Sequence, residues 1–151
     1  MPRIKAADRP TGSPPRVTVS GRHPPLTRRA VERAVETVLD GERRRRATIS
    51  VAFVGPQRIR AMNAEWKGVD RPTDVLAFPL AAPDGATVGD VYICRDVVRR
   101  QARRLGVGLG RELLRVVVHG TLHALGYDHP EEGRTASAMW RKQERYLTCL
   151  G

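Results

Sequence analysis

The apolar positions of the chain change period several times, and each change marks an element. Val17 and Val19 alternate with Thr18 and Ser20, which predicts a short strand, and His23-Pro24-Pro25 turns it. From Thr27, an N-cap residue type, Ala30, Val31, Ala34, Val35, Val38 and Leu39 recur at helical spacing until Gly41. After the run Arg43 to Arg46, Ile49, Val51 and Phe53 alternate with Thr48, Ser50 and Ala52 as a second strand. A helix over about Pro56 to Glu65 would bury Ile59 and Met62. The polar loop WKGVDRPTD follows, then an apolar strand from Val75 to Phe78 that Pro79 should stop. A loop with Pro83 and Gly85 leads to a strand from Val88 to Cys94. Asp96 is the expected cap of a third helix that turns Val97, Val98, Ala102 and Leu105 inward and Arg99, Arg100, Arg103 and Arg104 outward. After GVGLG a fourth helix runs from about Leu109 to Leu125, ended by Gly126. A last helix from about Pro130 should bury Ala136, Met139, Trp140, Gln143 and Leu147.

Strands and helices interspersed in this way predict an α+β fold: one domain over residues 16–151, with a mixed sheet of about four strands covered by about five helices. Residues 1–15, rich in proline and poor in large apolar side chains, read as a disordered or loosely attached basic tail. With 40% hydrophobic but only 5% aromatic residues, the core must be built mainly of Val, Leu, Ala and Ile. No apolar run approaches the ~20 residues that span a bilayer, and the start lacks the apolar stretch of a secretory signal. The expectation is a soluble cytoplasmic protein without a membrane partner. Cys94 and Cys149 stand alone and outside any CxxC pair, so free thiols are expected, and any metal must find other ligands.

Charge adds a partner class. The chain carries 27 Lys plus Arg, 24 of them Arg, against 16 Asp plus Glu, for a net charge of +11. Such an excess suits a polyanion such as nucleic acid, although a solvated arginine-rich surface would give the same count. Residues 1–46 hold +7 of it and residues 47–151 only +4.

The sharpest signal is HGTLHALGYDH, in which His119, His123 and His129 fall within eleven residues. His119 and His123, four apart on the fourth helix, project from one face about one turn apart. Gly126 permits positive φ, and Tyr127-Asp128 brings His129 back toward the same point. Three imidazoles with an open fourth position match a catalytic zinc site, which at neutral pH can furnish hydroxide and polarise a phosphoryl or carbonyl oxygen. Nickel, cobalt and iron(II) suit the same ligands. The spacing is also that of metzincin proteases, but their general-base Glu follows the first His, and here that position is Gly120.

This histidine block, together with EWKGVDRPTDVLAFP (Glu65 to Pro79) and GDVYI (Gly89 to Ile93), resembles the YbeY family of bacterial endoribonucleases, in order and spacing, from about Val17 to the C-terminus. The resemblance implies a single-strand-specific, zinc-dependent endoribonuclease with one Zn2+ on His119, His123 and His129. It also implies work in rRNA maturation, at the 3′ end of small-subunit rRNA, and in late ribosome assembly and quality control. Where the family often has an arginine that meets substrate phosphate, this chain has Lys67, which keeps the charge but loses the bidentate fork. Arg71 is a neighbouring substitute, or Lys67 is an ordinary solvated loop lysine.

Other residues acquire candidate roles. Asp128 can orient a ligand imidazole or act as general base. Thr73 and Asp74 suit backbone hydrogen bonds that fix the loop carrying Lys67. Asp90 is expected near the histidine helix. Trp66 and Tyr127 are candidates for stacking on unpaired bases or for packing. Arg99 and Arg103 join Lys67 and Arg71 as RNA-binding candidates, with single-stranded rRNA, ribosomal particles and ribosomal proteins as partners. Oligomeric state is not encoded in these patterns. The alternative reading is a ribosome-assembly binding factor with structural zinc and little nuclease activity.

Overall fold

The computed structural model describes residues 16–44, 46–80, 82, 84–128 and 137–151. His129, the start of the last predicted helix and the proposed tail over 1–15 lie outside them. In chain order the elements are β1 (Val17–Ser20), α1 (Arg28–Gly41), β2 (Ala47–Phe53), α2 (Pro56–Lys67), β3 (Val75–Leu80), β4 (Thr87–Ile93), α3 (Arg95–Leu105), α4 (Leu109–Ala124) and α5 (Ala138–Leu150). The expected α+β class with a four-stranded mixed sheet and five helices is what these elements form.

The sheet order is β1-β2-β4-β3. β1, β2 and β4 are parallel, while β3 pairs antiparallel with β4 at the edge. That edge position explains why Pro79 does not stop the strand: Pro79 lies opposite Gly89 within β3, on a strand with one neighbour, where a missing N–H is tolerated.

The two faces of the sheet bury different helices. Ile49 and Val51 of β2 and Gly89, Val91 and Ile93 of β4 are buried beneath α1 and α4, in one core with Val31, Val35, Val38, Leu113, Val117 and Leu122. On the other face, Ile59 of α2 packs with Leu76 and Cys94, flanked by Met62, Phe78 and Tyr92. α4 sits on the sheet at very close range. A Cβ on Gly89 would come 2.7 Å from Ala124 Cβ, and one on Gly120 would come 2.7 Å from Val91 Cγ1 and 2.9 Å from Val75 Cγ2.

Several sequence expectations shift in position. Thr27 caps α1 as expected, its side chain accepting from the Ala30 N–H at 3.0 Å. Asp96 does not cap α3; Cys94 occupies that position and Asp96 stands in the first turn, where its charge still favours the helix N-terminus. Leu105, expected inward, is 62% exposed because α3 ends there and the chain leaves through Gly106 at φ +67. Cys94 is buried and Cys149 exposed, both as free thiols.

Candidate metal centre

α4 delivers two histidines to one point. His119 and His123 lie one turn apart on the same helix face, their Nε2 atoms 3.1 Å apart. Each ring is held from behind. His119 Nδ1 donates to Gln143 Oε1 of α5 at 2.6 Å, and His123 Nδ1 donates to the Tyr127 carbonyl at 2.9 Å, since neither oxygen can donate. With the proton fixed on Nδ1, both Nε2 lone pairs face the space between the rings. This is the arrangement in which metal-binding histidines are held.

The separation suits a shared ion. Two imidazoles on one tetrahedral zinc with bonds of about 2.0–2.1 Å stand about 3.3 Å apart. Among the described residues no group of three metal-binding side chains gathers, and the expected third ligand, His129, falls outside them.

The turn after α4 does what the sequence suggested. Gly126 adopts φ +101, its N–H bonds the His123 carbonyl at 2.9 Å, and Tyr127 N–H bonds the Leu122 carbonyl at 3.1 Å. This turn aims the Tyr127 carbonyl at His123. Asp128 follows it and is exposed.

Sequence reasoning listed Gln143 only as core and missed Glu42. Gln143 is fully buried, and its Nε2 has no hydrogen-bond partner among the described residues. Glu42, just past α1, receives the hydroxyls of Tyr127 and Tyr146 and the ammonium of Lys142 at 3.0 Å. Burial alone would raise its pKa, but the hydrogen bonds from Tyr127, Tyr146 and Lys142 outweigh it and hold the carboxyl below its ordinary value. Tyr127 is thus occupied in packing and hydrogen bonding. Glu42 carried no local signal, standing in sequence beside an arginine run, with partners 85 to 104 residues away.

A cleft of about 940 Å³ opens between α3, α4 and α5, lined by Asp74, Arg111, Arg115, Trp140 and Glu144 among others. Arg111 and Arg115 precede His119 by eight and four residues, so cleft and histidines share one face of α4. Trp140 is half-buried in the cleft wall rather than in the core.

A family model described as endoribonuclease YbeY matches residues 20–151. The chain belongs to the endoribonuclease YbeY family. A relative named Endoribonuclease YbeY from an Anaeromyxobacter species is 47% identical over 107 residues, covering 70% of this chain. That match spans little more than half, 55%, of the relative's length. One of the same name from a Sulfurihydrogenibium species is 37% identical over 130 residues, 82% of this chain and 86% of the relative. The solution structure of a Thermotoga maritima protein superposes with a TM-score of 0.61 at 32% identity, over 89% of this chain and 88% of that one.

In this YbeY-family chain the upstream block straddles the sheet: Val75 and Ala77 of β3 pack on the α4 side, whereas Leu76 and Phe78 face away from it, toward Lys67. Gly89 and Val91 meet α4, so Asp90 and Tyr92 point to the opposite face. The Phe78 ring meets Tyr92 there at 6.0 Å, and Lys67 Nζ stands 5.9 Å over the Phe78 ring. Asp90 therefore faces away from α4, contrary to expectation, because strand alternation turns it from its glycine and valine neighbours. Trp66 is 63% exposed with its ring 5.8 Å from Phe78. The loop carrying Arg71 is tied down by Asn63, whose amide donates to the Arg71 carbonyl at 2.9 Å, a residue the sequence reading missed. Asp74 acts locally as expected, accepting from Val75 N–H at 2.9 Å and from the Thr73 hydroxyl at 3.3 Å. Arg71 and Arg103 are exposed, and Arg99 is half-buried on α3. No helix among the described residues is long and apolar enough to cross a membrane.

Proposed function

We propose that the chain is a zinc-dependent endoribonuclease that cuts single-stranded RNA in rRNA maturation, at the 3′ end of small-subunit rRNA, and serves late ribosome assembly in the cytoplasm. The observation that carries the reading is the convergence of His119 and His123 Nε2 with both Nδ1 atoms already engaged. The names of the YbeY relatives support an RNA phosphodiester substrate.

His119, His123 and His129 would hold the ion. When bound, zinc supplies Lewis acidity toward a phosphoryl oxygen and an attacking water. Gln143 and the Tyr127 carbonyl keep the two described rings oriented for it. Asp128, beside the third histidine, orients that ring or takes a proton from the attacking water. Lys67, Arg71, Arg99 and Arg103 receive backbone phosphates along the path to the site. The family's peptidase-like spacing does not make this a metzincin, because position 120 faces the sheet, where no carboxylate fits.

A binding factor with structural zinc is the second reading, favoured by the arginine row on the outer side of α3. One preparation decides between them: the full chain loaded with Zn2+ and offered single-stranded rRNA fragments and casein. The expected result is RNA cleavage, no casein cleavage, and loss of both bound zinc and RNA cleavage in His119→Ala. Cleavage by a zinc-free His119→Ala protein would overturn the reading; ribosomal-particle binding without cleavage by the zinc-loaded wild type would favour the second.

A further inference from the structure

The two acceptors that hold the imidazoles are themselves tethered, and both tethers end on one carboxylate. Tyr127, whose carbonyl holds His123, donates its hydroxyl to Glu42 Oε1 at 2.5 Å. Gln143, which holds His119, sits on α5 between Lys142 and Tyr146, and both of those donate to Glu42 Oε2, Lys142 at 3.0 Å. The Glu42 side chain is only 5% exposed.

This is an unfavourable place for a negative charge. Glu42 is the C-cap of α1, at the end of the helix where the dipole favours cations. The backbone fixes it there through its N–H bond to the Val38 carbonyl at 2.9 Å. Its neighbour Gly41 makes room for the donors: a Cβ there would lie 2.3 Å from Tyr146 Cε1. A helix end alone needs no buried carboxylate with three donors. What the three donors have in common is that they come from the turn and the helix that hold the histidines.

We propose that Glu42 is a positioning residue for the histidine pair: by joining the Tyr127 turn to α5 it fixes both acceptors, and through them the tautomer and aim of His119 and His123. This rests on the reading of those histidines as metal ligands. Loss of a group bonded directly to a ligand imidazole weakens metal binding about 10–100-fold, and Glu42, one bond further out, should act at the low end of that range.

The test uses the full chain and two readouts. Long-range 1H–15N spectra of the metal-free protein report the ring tautomers, and chelator competition reports Zn2+ affinity. In wild type both rings should be Nδ1–H. Glu42→Gln should leave at least one ring averaging between tautomers and lower Zn2+ affinity about 10-fold. Unchanged tautomers and affinity, with only a lower unfolding midpoint, would overturn the proposal in favour of plain packing. If Glu42→Gln does not fold, Tyr127→Phe carries the test. It removes one hydroxyl and should disturb the His123 tautomer while leaving His119 alone; both rings unchanged overturns the proposal. A wild-type chain that binds no Zn2+ would sink the metal reading, and the ring spectra would still decide the role of Glu42.

Discussion

Gly120 lies against Val91 so closely that a Cβ at position 120 would stand 2.7 Å from Val91 Cγ1. Val75 closes the other side at 2.9 Å, and both valines are β-branched and seated on paired strands. Neither can move far without disturbing the sheet. Gly120→Ala is therefore expected to lower the unfolding free energy by about 1–3 kcal/mol despite alanine's better helix propensity. Urea unfolding of the metal-free protein measures this, and a stabilised variant would refute the close-packing account. Gly120→Glu, which restores the metzincin pattern, should yield unfolded protein and no peptidase activity.

Gln143 offers a contrast, because its role at the site and its role in stability separate. Its Oε1 holds His119, while its buried Nε2 has no partner among the described residues. Gln143→Leu removes that unpartnered donor but leaves the His119 Nδ1–H without its acceptor. These are effects of about 1–3 kcal/mol each and of opposite sign. The expected outcome is a nearly unchanged unfolding midpoint with Zn2+ affinity reduced about 10–100-fold. Chelator competition alongside urea unfolding checks both halves, and a variant that binds zinc as tightly as wild type would show that Gln143 is only core.

The contrast also shows what the sequence could and could not disclose. Periodicity identified which side of α1 is buried, because that depends on the composition of one segment. Gly126 announced its own left-handed turn for the same reason. Pro79 misled because tolerance for proline depends on whether the strand has one neighbour or two, which is a property of the sheet. Asp90 misled in a similar way: strand alternation says that neighbours face opposite ways, but only the packing of α4 on Gly89 and Val91 says which way each one faces. Glu42 was hidden most deeply, since its three donors come from segments 85 or more residues downstream.

The Glu42 cluster makes stability depend on pH with a definite sign. Its carboxyl has a folded pKa below the ordinary value: burial opposes the shift, and the donors Tyr127, Tyr146 and Lys142 outweigh it. Arg145, which donates to the Tyr146 hydroxyl at 3.1 Å, is the further charge facing the cluster. Between the folded and the higher unfolded pKa the unfolded chain binds more protons, so stability rises with pH there. The contribution is fully present above the unfolded value and is lost as pH falls through the folded one. Urea unfolding as pH is lowered through the ordinary carboxylate range should therefore show a loss that Glu42→Gln makes shallower. Parallel pH profiles for the two proteins would assign the acid sensitivity to other carboxylates.

Lys67 gives the most direct test of the RNA path, because its placement separates RNA binding from metal binding. It ends α2, where Gly68 at φ +70 releases the chain, and its ammonium sits over Phe78 on the side of the sheet away from α4. If Lys67 neutralises one phosphate, Lys67→Ala should flatten the dependence of log Kobs on log salt by about 0.7 for single-stranded RNA. Zinc content should stay the same, because no part of α4 or its turn is touched. Lys67→Arg should retain the slope and bind phosphate at least as tightly, since it restores a bidentate donor. Arg99→Ala and Arg103→Ala in the same titration show whether α3 lies on the RNA path as well. An unchanged salt slope in Lys67→Ala would reduce this residue to a solvated helix end and leave the phosphate contacts to Arg71 and the α3 arginines.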